Sequence, residues 1–112
     1  MDKTTATRKK RSDRTHYIYM LVIGGMRYVG TTAKTESTAT KSVMARFNKH
    51  WYRAKTESKN WLLCEALRAC ADRSEVEVQI LAVVRGKSEG HREEVRLRRE
   101  LRPELNTDVR GD

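Results

Sequence analysis

Two tyrosines, Tyr19 and Tyr28, lie on either side of a Gly-Gly pair at positions 24–25 and are flanked by apolar and β-branched residues. Two such runs separated by Gly-Gly predict a β-hairpin with a two-residue turn. That turn sets the register, so that Tyr19 opposes Gly30 and Leu21 opposes Tyr28. The two tyrosines are then diagonal neighbours on one face, with Cβ atoms about 7–8 Å apart. Paired phenolic hydroxyls of this kind can transfer protons.

A second polar group has helical spacing. Apolar side chains at helical intervals predict an amphipathic helix from about residue 40 to 54. Arg46, His50 and Arg53 share a different face of this helix from the apolar stripe. The planar guanidinium of Arg46 suits a phosphate, because it donates two parallel hydrogen bonds.

The remaining residues predict two further helices and a third strand. Helical spacing covers about residues 58–71, and regular alternation predicts a half-buried strand over 75–82. A third helix is predicted from about 91 to 101, ending before Pro103. The side chains predicted to face inward include Cys64, Leu67, Ala71, Val76, Val78 and Ile80, and the predicted loops are 31–39 and 86–90.

The predicted order of elements is β-β-α-α-β-α. This order favours an α+β fold in which a small three-stranded antiparallel sheet is flanked by helices. A chain of 112 residues has the size of one domain, which we expect to span residues 16–112. Residues 1–15 lack apolar periodicity and predict a flexible basic arm. We expect neither a membrane-spanning helix nor a secretory signal, since no long apolar run is present.

Charge predicts a polyanionic partner. The chain has 24 Lys and Arg against 15 Asp and Glu, a net charge of +9 and an isoelectric point near 9.9. Such a balance favours nucleic acid, although a protein that is merely soluble and basic is the alternative on composition alone. The excess of positive charge lies in the arm and in residues 41–59. The cations that we expect to contact the nucleic acid are Lys9, Lys10, Arg11, Lys41, Lys49, Arg53 and Lys55.

The two cysteines, Cys64 and Cys70, do not form a CxxC pair. Two cysteines at this spacing face roughly opposite sides of a helix. We therefore expect buried, reduced thiols and a cytoplasmic protein.

Five pieces of the sequence resemble the motifs of the GIY-YIG nucleases. The segments 17–19 (Tyr-Ile-Tyr) and 28–30 (Tyr-Val-Gly) are similar to the family's paired motifs. Tyr17 stands where the family has its first glycine. The other similar pieces are Arg46 and His50 (Arg-xxx-His), Glu94 at the place of the family's single metal-binding glutamate, and Asn106 in a closing RPxxN segment. Together the five pieces follow the family's order and cover about residues 16–107.

The resemblance implies a DNA endonuclease that hydrolyses phosphodiester bonds with Mg²⁺ or Mn²⁺. One tyrosine would act as general base, and its phenolate costs about 4 kcal/mol at neutral pH, a cost that Arg46 and a metal reduce. A single carboxylate suffices for the metal, because Mg²⁺ also keeps waters and takes substrate phosphate. The residues to which the resemblance gives a catalytic role are Tyr19, Tyr28, Arg46, His50, Asn106 and Glu94, with Glu94 as metal ligand.

Other functions remain open. One is a non-catalytic nucleic-acid-binding module of the same fold, although such a module has no need of a lone carboxylate facing phosphate. Another is a nuclease directed at RNA, since phosphate contacts are alike in both nucleic acids. The family includes homing, restriction and repair enzymes, which usually carry extra DNA-binding regions. A chain of this size suggests a compact enzyme of a phage or mobile element, acting as a monomer or as a homodimer.

Overall fold

The structure, a computed structural model, describes residues 14–56 and 62–106. It has the predicted α+β class and the predicted order β-β-α-α-β-α. A short 3₁₀ turn, Arg73–Glu75, precedes the third strand. The elements are β1 (Thr15–Ile23), β2 (Met26–Ala33), α1 (Ala39–Thr56), α2 (Leu62–Arg68), β3 (Val76–Arg85) and α3 (Lys87–Leu101).

The sheet is antiparallel with the order β2-β1-β3. Gly24 and Gly25 have φ angles of 57° and 84°, which is the left-handed conformation that a two-residue hairpin turn of type I′ requires. Tyr19 opposes Gly30, as predicted. The loop predicted over 31–39 is wrong at its start, because β2 continues to Ala33. Thr31 and Thr32 are β-branched and extend the pairing of β2 with β1.

The third strand runs to Arg85 instead of ending at 82. A β-bulge interrupts its pairing with β1: Ile18 pairs with Ala82, whereas Tyr19 pairs with Ile80. The extra residue, Leu81, changes which side chains of β3 share a face with the core. Ile80 was predicted to face inward, but it is 37% exposed on this outer strand.

The main core lies between one face of the sheet and helices α1 and α2. Strand β1 contributes alternate residues to it, as a period of two requires. Thr38 caps α1, since its hydroxyl accepts a hydrogen bond from the backbone N–H of Lys41. Ala71, predicted inward, is exposed because α2 ends at Arg68. The core residues are Tyr17, Tyr19, Leu21, Ile23, Val43, Phe47, Ala54, Leu63, Cys64, Ala66, Leu67, Cys70, Val76 and Leu105.

Helix α3 covers the other face of the sheet. It begins at Lys87, so the loop predicted over 86–90 is wrong after its first residue. Gly90 is buried, and a Cβ at this position would lie 3.1 Å from the Cβ of His16. Because Gly90 has no side chain, α3 can lie close to β1. Ile18 and Val29 are fully buried on the face of the sheet that α3 covers.

Other expectations concern membranes, thiols and the arm. Within the described residues, no helix combines the length and the apolar character that crossing a membrane demands. Cys64 and Cys70 are buried free thiols, as predicted. Thr15, which was assigned to the arm, is instead the first residue of β1. Arg14 of the arm is described, and its carbonyl accepts a hydrogen bond from the N–H of Gly86. Residues 1–13 lie outside the described residues.

Candidate active site

Three aromatic rings from three elements meet above the sheet. Tyr19 of β1 and Tyr28 of β2 have ring centroids 6.3 Å apart. His50 of α1 closes over both of them, with its ring 6.3 Å from that of Tyr19 and 5.4 Å from that of Tyr28. The Tyr19 hydroxyl lies 2.8 Å from His50 Nε2. The structure therefore brings together three residues that the sequence had placed on a hairpin and on a separate helix.

Gly30 makes the room for this cluster. A Cβ on Gly30 would lie 2.7 Å from the Tyr19 hydroxyl oxygen and 2.9 Å from Cε2 of Tyr28. Real Cβ atoms are essentially never found so close to other atoms. Any side chain at this position would therefore push the two tyrosine rings out of place.

The hydrogen bond between Tyr19 and His50 joins two uncharged groups at neutral pH. Burial, followed by the neighbouring Tyr28, raises the pKa of Tyr19, so its hydroxyl keeps its proton. Burial, together with the charges of Arg46 and Arg53, lowers the pKa of His50 to about 4. At neutral pH a protonated phenol and a neutral imidazole therefore share this hydrogen bond, and the imidazole tautomer determines which of the two donates. Tyr19 is completely buried, whereas Tyr28 is half-buried.

Arg46 brings positive charge to the cluster. Its charge and a hydrogen bond from its guanidinium both act to lower the pKa of Tyr19, against the larger effect of burial. Its Nε is buried and has no hydrogen-bond partner within the described part of the chain. An unsatisfied buried donor costs about 1–3 kcal/mol. An anion bound here would remove that cost.

Glu94 is the carboxylate of the site. It lies on α3, its side chain is 15% exposed, and its Oε2 is 3.9 Å from Nη1 of Arg98. Its negative charge adds a small contribution to the raised pKa of Tyr19, behind burial and Tyr28. No group of three or more metal-ligating side chains occurs in residues 14–56 and 62–106. One oxygen ligand of this kind fits Mg²⁺ or Mn²⁺ held largely by water and phosphate, and does not fit a metal that needs a cage of protein ligands.

Asn106 lies beside the site rather than in it. Its Oδ1 accepts a hydrogen bond from the backbone N–H of Val29 at 2.7 Å. Its Nδ2 donates to the carbonyl of the same residue at 2.8 Å. The amide thus holds the outer edge of β2 between Tyr28 and Gly30. A catalytic role was expected for Asn106, and this geometry favours a positioning role.

Replacing Asn106 with alanine is expected to lower the free energy of unfolding by about 2–3 kcal/mol, because two backbone groups of Val29 lose their partners. Glu104→Gln is the matched control on the same segment. Glu104 is exposed, and we expect its substitution to stay within about 0.5 kcal/mol. Urea unfolding measures both. Equal stability of the two variants would contradict the role of Asn106.

Acid is expected to weaken the fold through His50. The unfolded chain binds a proton on this imidazole near pH 6.5, but the folded protein does so only near pH 4. Between these values the unfolded state binds more protons, so stability is lost as the pH falls, by up to about 3 kcal/mol. His50→Gln should remove most of this dependence. Urea unfolding of both proteins at pH 7 and pH 4.5 is the measurement, and parallel pH dependences would contradict the prediction.

The predicted nucleic-acid contacts divide into three groups. Lys41, Lys49 and Arg53 are exposed on α1 and available to a ligand. Lys55 is also exposed, but its Nζ donates to the carbonyl of Cys70 at 3.0 Å and lies 4.5 Å from the centre of the Trp51 ring. It therefore joins α1 to the end of the α2 segment. Lys9, Lys10 and Arg11 lie outside the described residues.

One exposed aromatic residue was missed by the sequence analysis. Tyr52 of α1 is 67% exposed. Its position in the helical repeat, away from the stripe of Val43, Phe47 and Ala54, is the signal that could have identified it.

Comparisons of the chain with protein-family models, with curated proteins and with solved structures gave no match.

Proposed function

We propose that this protein is a metal-dependent DNA endonuclease of the GIY-YIG type that hydrolyses phosphodiester bonds. The observation that carries the proposal is the cluster of Tyr19, Tyr28 and His50 beside Arg46, whose buried Nε has no partner among residues 14–56 and 62–106. A purely structural cluster has no reason to leave a buried guanidinium nitrogen unsatisfied. A phosphate oxygen would satisfy it.

Each residue has a defined role in the proposed mechanism. Arg46 binds the scissile phosphate and stabilises its growing charge. Glu94 would hold Mg²⁺ or Mn²⁺, which when bound supplies positive charge at the phosphate and lowers the pKa of a water. Tyr28 is the half-buried tyrosine, so it is the one that can release its own proton to solvent and, as a phenolate, accept the proton of the attacking water. Tyr19 is completely buried and positions His50 through its hydrogen bond.

Cleavage of supercoiled plasmid tests the function directly. Purified protein is incubated with plasmid in Mg²⁺, in Mn²⁺ and in EDTA, and with single-stranded RNA in parallel. We expect nicked or linear DNA only with a divalent metal. Retarded but uncut plasmid in every condition would instead identify the non-catalytic binding module, and cleavage of RNA alone would identify the RNA-directed nuclease.

We infer a cytoplasmic setting for this activity. Both cysteines are buried free thiols, the state expected in a reducing compartment. A compact enzyme of a phage or mobile element remains our proposal for its context.

A further inference from the structure

The outer face of α1 carries a shallow depression with an aromatic residue in it. Tyr52 is 67% exposed, a large apolar ring for a solvent-facing helix position. The depression has a volume of about 400 Å³. Its lining residues are Asn48, Lys49, Tyr52, Arg53 and Thr56.

The surroundings of this ring are positively charged. Lys49 and Arg53 flank it on the same helix, and no carboxylate lines the depression within residues 14–56 and 62–106. Arg73 adds a third cation, because its Nη1 donates to Oδ1 of Asn48 at 2.7 Å. The nearby carboxylates accept hydrogen bonds from backbone N–H groups of their own turn; these are Asp72 and Glu75. A polyanion therefore fits this surface.

The depression lies farther around α1 than His50, on the same helix. Successive residues of an α-helix are about 100° apart, which places Arg53 about 60°, Lys49 about 100° and Tyr52 about 160° around α1 from His50. On a helix about 11 Å wide this arc is about 15 Å long. At one phosphate per 3.4 Å along a DNA strand, Tyr52 lies within about four or five nucleotides of a phosphate bound beside His50.

We propose that the surface formed by Lys49, Tyr52 and Arg53 binds an unpaired nucleotide of the DNA strand near the cleaved phosphate. The base stacks on the Tyr52 ring, and the two cations contact the flanking phosphates. An unpaired base is required because the faces of paired bases are covered by their neighbours in the duplex. This inference rests on the proposed nuclease function and names its substrate: DNA with a single-stranded segment next to the duplex.

Binding in EDTA tests this surface without any cleavage. Fluorescence anisotropy compares a blunt duplex with the same duplex carrying a single-stranded extension, at either the 5′ or the 3′ end. Tyr52→Ala is expected to weaken binding of an extended duplex by about 5–150-fold, the loss of one stacked base. Tyr52→Phe keeps the ring and should bind within about threefold of the wild type. Neither variant should change binding to the blunt duplex.

A charge variant separates stacking from general attraction. Lys49→Gln should weaken binding to both duplexes. It should also make the slope of log affinity against log salt concentration shallower by about one unit. Equal losses for Tyr52→Ala on blunt and extended duplexes, or equal losses for Tyr52→Ala and Tyr52→Phe, would overturn the proposal. This binding test is independent of the plasmid assay. If the protein cuts plasmid but Tyr52→Ala binds both duplexes alike, only the stacking surface is contradicted. If Tyr52→Ala weakens binding of the extended duplex alone but the protein does not cut plasmid, only the nuclease function is contradicted.

Discussion

Replacing Glu94 with glutamine is expected to abolish cleavage of plasmid DNA while leaving DNA binding unchanged or slightly tighter. The side chain keeps its size but loses the charge that would hold a divalent metal. Removing a negative charge close to phosphate also removes a repulsion, which explains the expected gain in affinity. Plasmid cleavage in Mg²⁺ and anisotropy in EDTA measure the two quantities on one preparation.

Glu93→Gln provides a matched control for this experiment. Glu93 is the adjacent glutamate on α3, and its carboxylate pairs with Arg96. It points about 100° away from Glu94 around the helix, so its loss should leave cleavage close to the wild-type rate. Metal-dependent cleavage by Glu94→Gln at the rate of Glu93→Gln would show that Glu94 does not hold the metal.

Substitution of the tyrosines by phenylalanine is expected to separate them by rate. Tyr28→Phe should slow single-turnover cleavage of a defined duplex by about 10²–10⁴-fold, the usual contribution of a general base. Tyr19→Phe should slow it by only about tenfold, because one hydrogen bond of about 1.5 kcal/mol to His50 is lost. Tyr17→Phe should remain near the wild-type rate, since this buried ring contributes to packing.

Tyr19→Phe also has a readout that simple packing would not change. Without the hydroxyl, Nε2 of His50 loses its hydrogen bond, so the chemical shift of this ring nitrogen should change, which NMR of the imidazole detects. The reverse order of rates, with Tyr19→Phe much slower than Tyr28→Phe, would make the buried tyrosine the base. A slow Tyr17→Phe with normal rates for the other two would contradict the register of the site.

The hairpin was predictable because its determinants are local. Gly24 and Gly25 allow the left-handed turn, and the turn alone determines that Tyr19 opposes Gly30. The stripe on α1 was predictable for a similar reason, since Val43 and Phe47 are one helical turn apart.

The third strand shows where local patterns fail. Ile80 shares the core-facing side of the sheet with its partner Tyr19, but it is 37% exposed because β3 is an edge strand. After Ile80, the bulge at Leu81 reverses the alternation, so that Ala82 pairs with Ile18. A bulge depends on the partner strand, and an edge depends on the order of strands. Neither the bulge nor the edge position can be predicted from the residues of one strand alone.

The site was predictable as a set of residues but not as a set of contacts. The hydrogen bond from Tyr19 to His50 joins residues 31 apart in the chain, and the bonds from Asn106 to Val29 join residues 77 apart. The resemblance named these residues without indicating that one amide would hold a strand. The role of each of these residues depends on contacts between segments that are distant in the chain, and such contacts cannot be predicted from a local sequence pattern.

The segment 104–106 also affects how copies of this chain can associate. Glu104 Oε1 accepts from the backbone N–H of Arg27, and the N–H of Leu105 donates to the Arg27 carbonyl. With the Asn106 amide on Val29, these bonds occupy the outer peptide groups of Arg27 and Val29 much as a fourth strand would, and a strand added to this part of β2 would have to displace them.

The opposite edge of the sheet is β3, on whose outer side no strand pairs within the described chain. A strand from a second copy of the protein could therefore pair with β3 without displacing such bonds. The bulge at Leu81 divides that edge into two short stretches, which limits the length of any continuous ladder between the copies. A dimer built in this way would leave β2, and the tyrosine that it carries, away from the contact between the subunits.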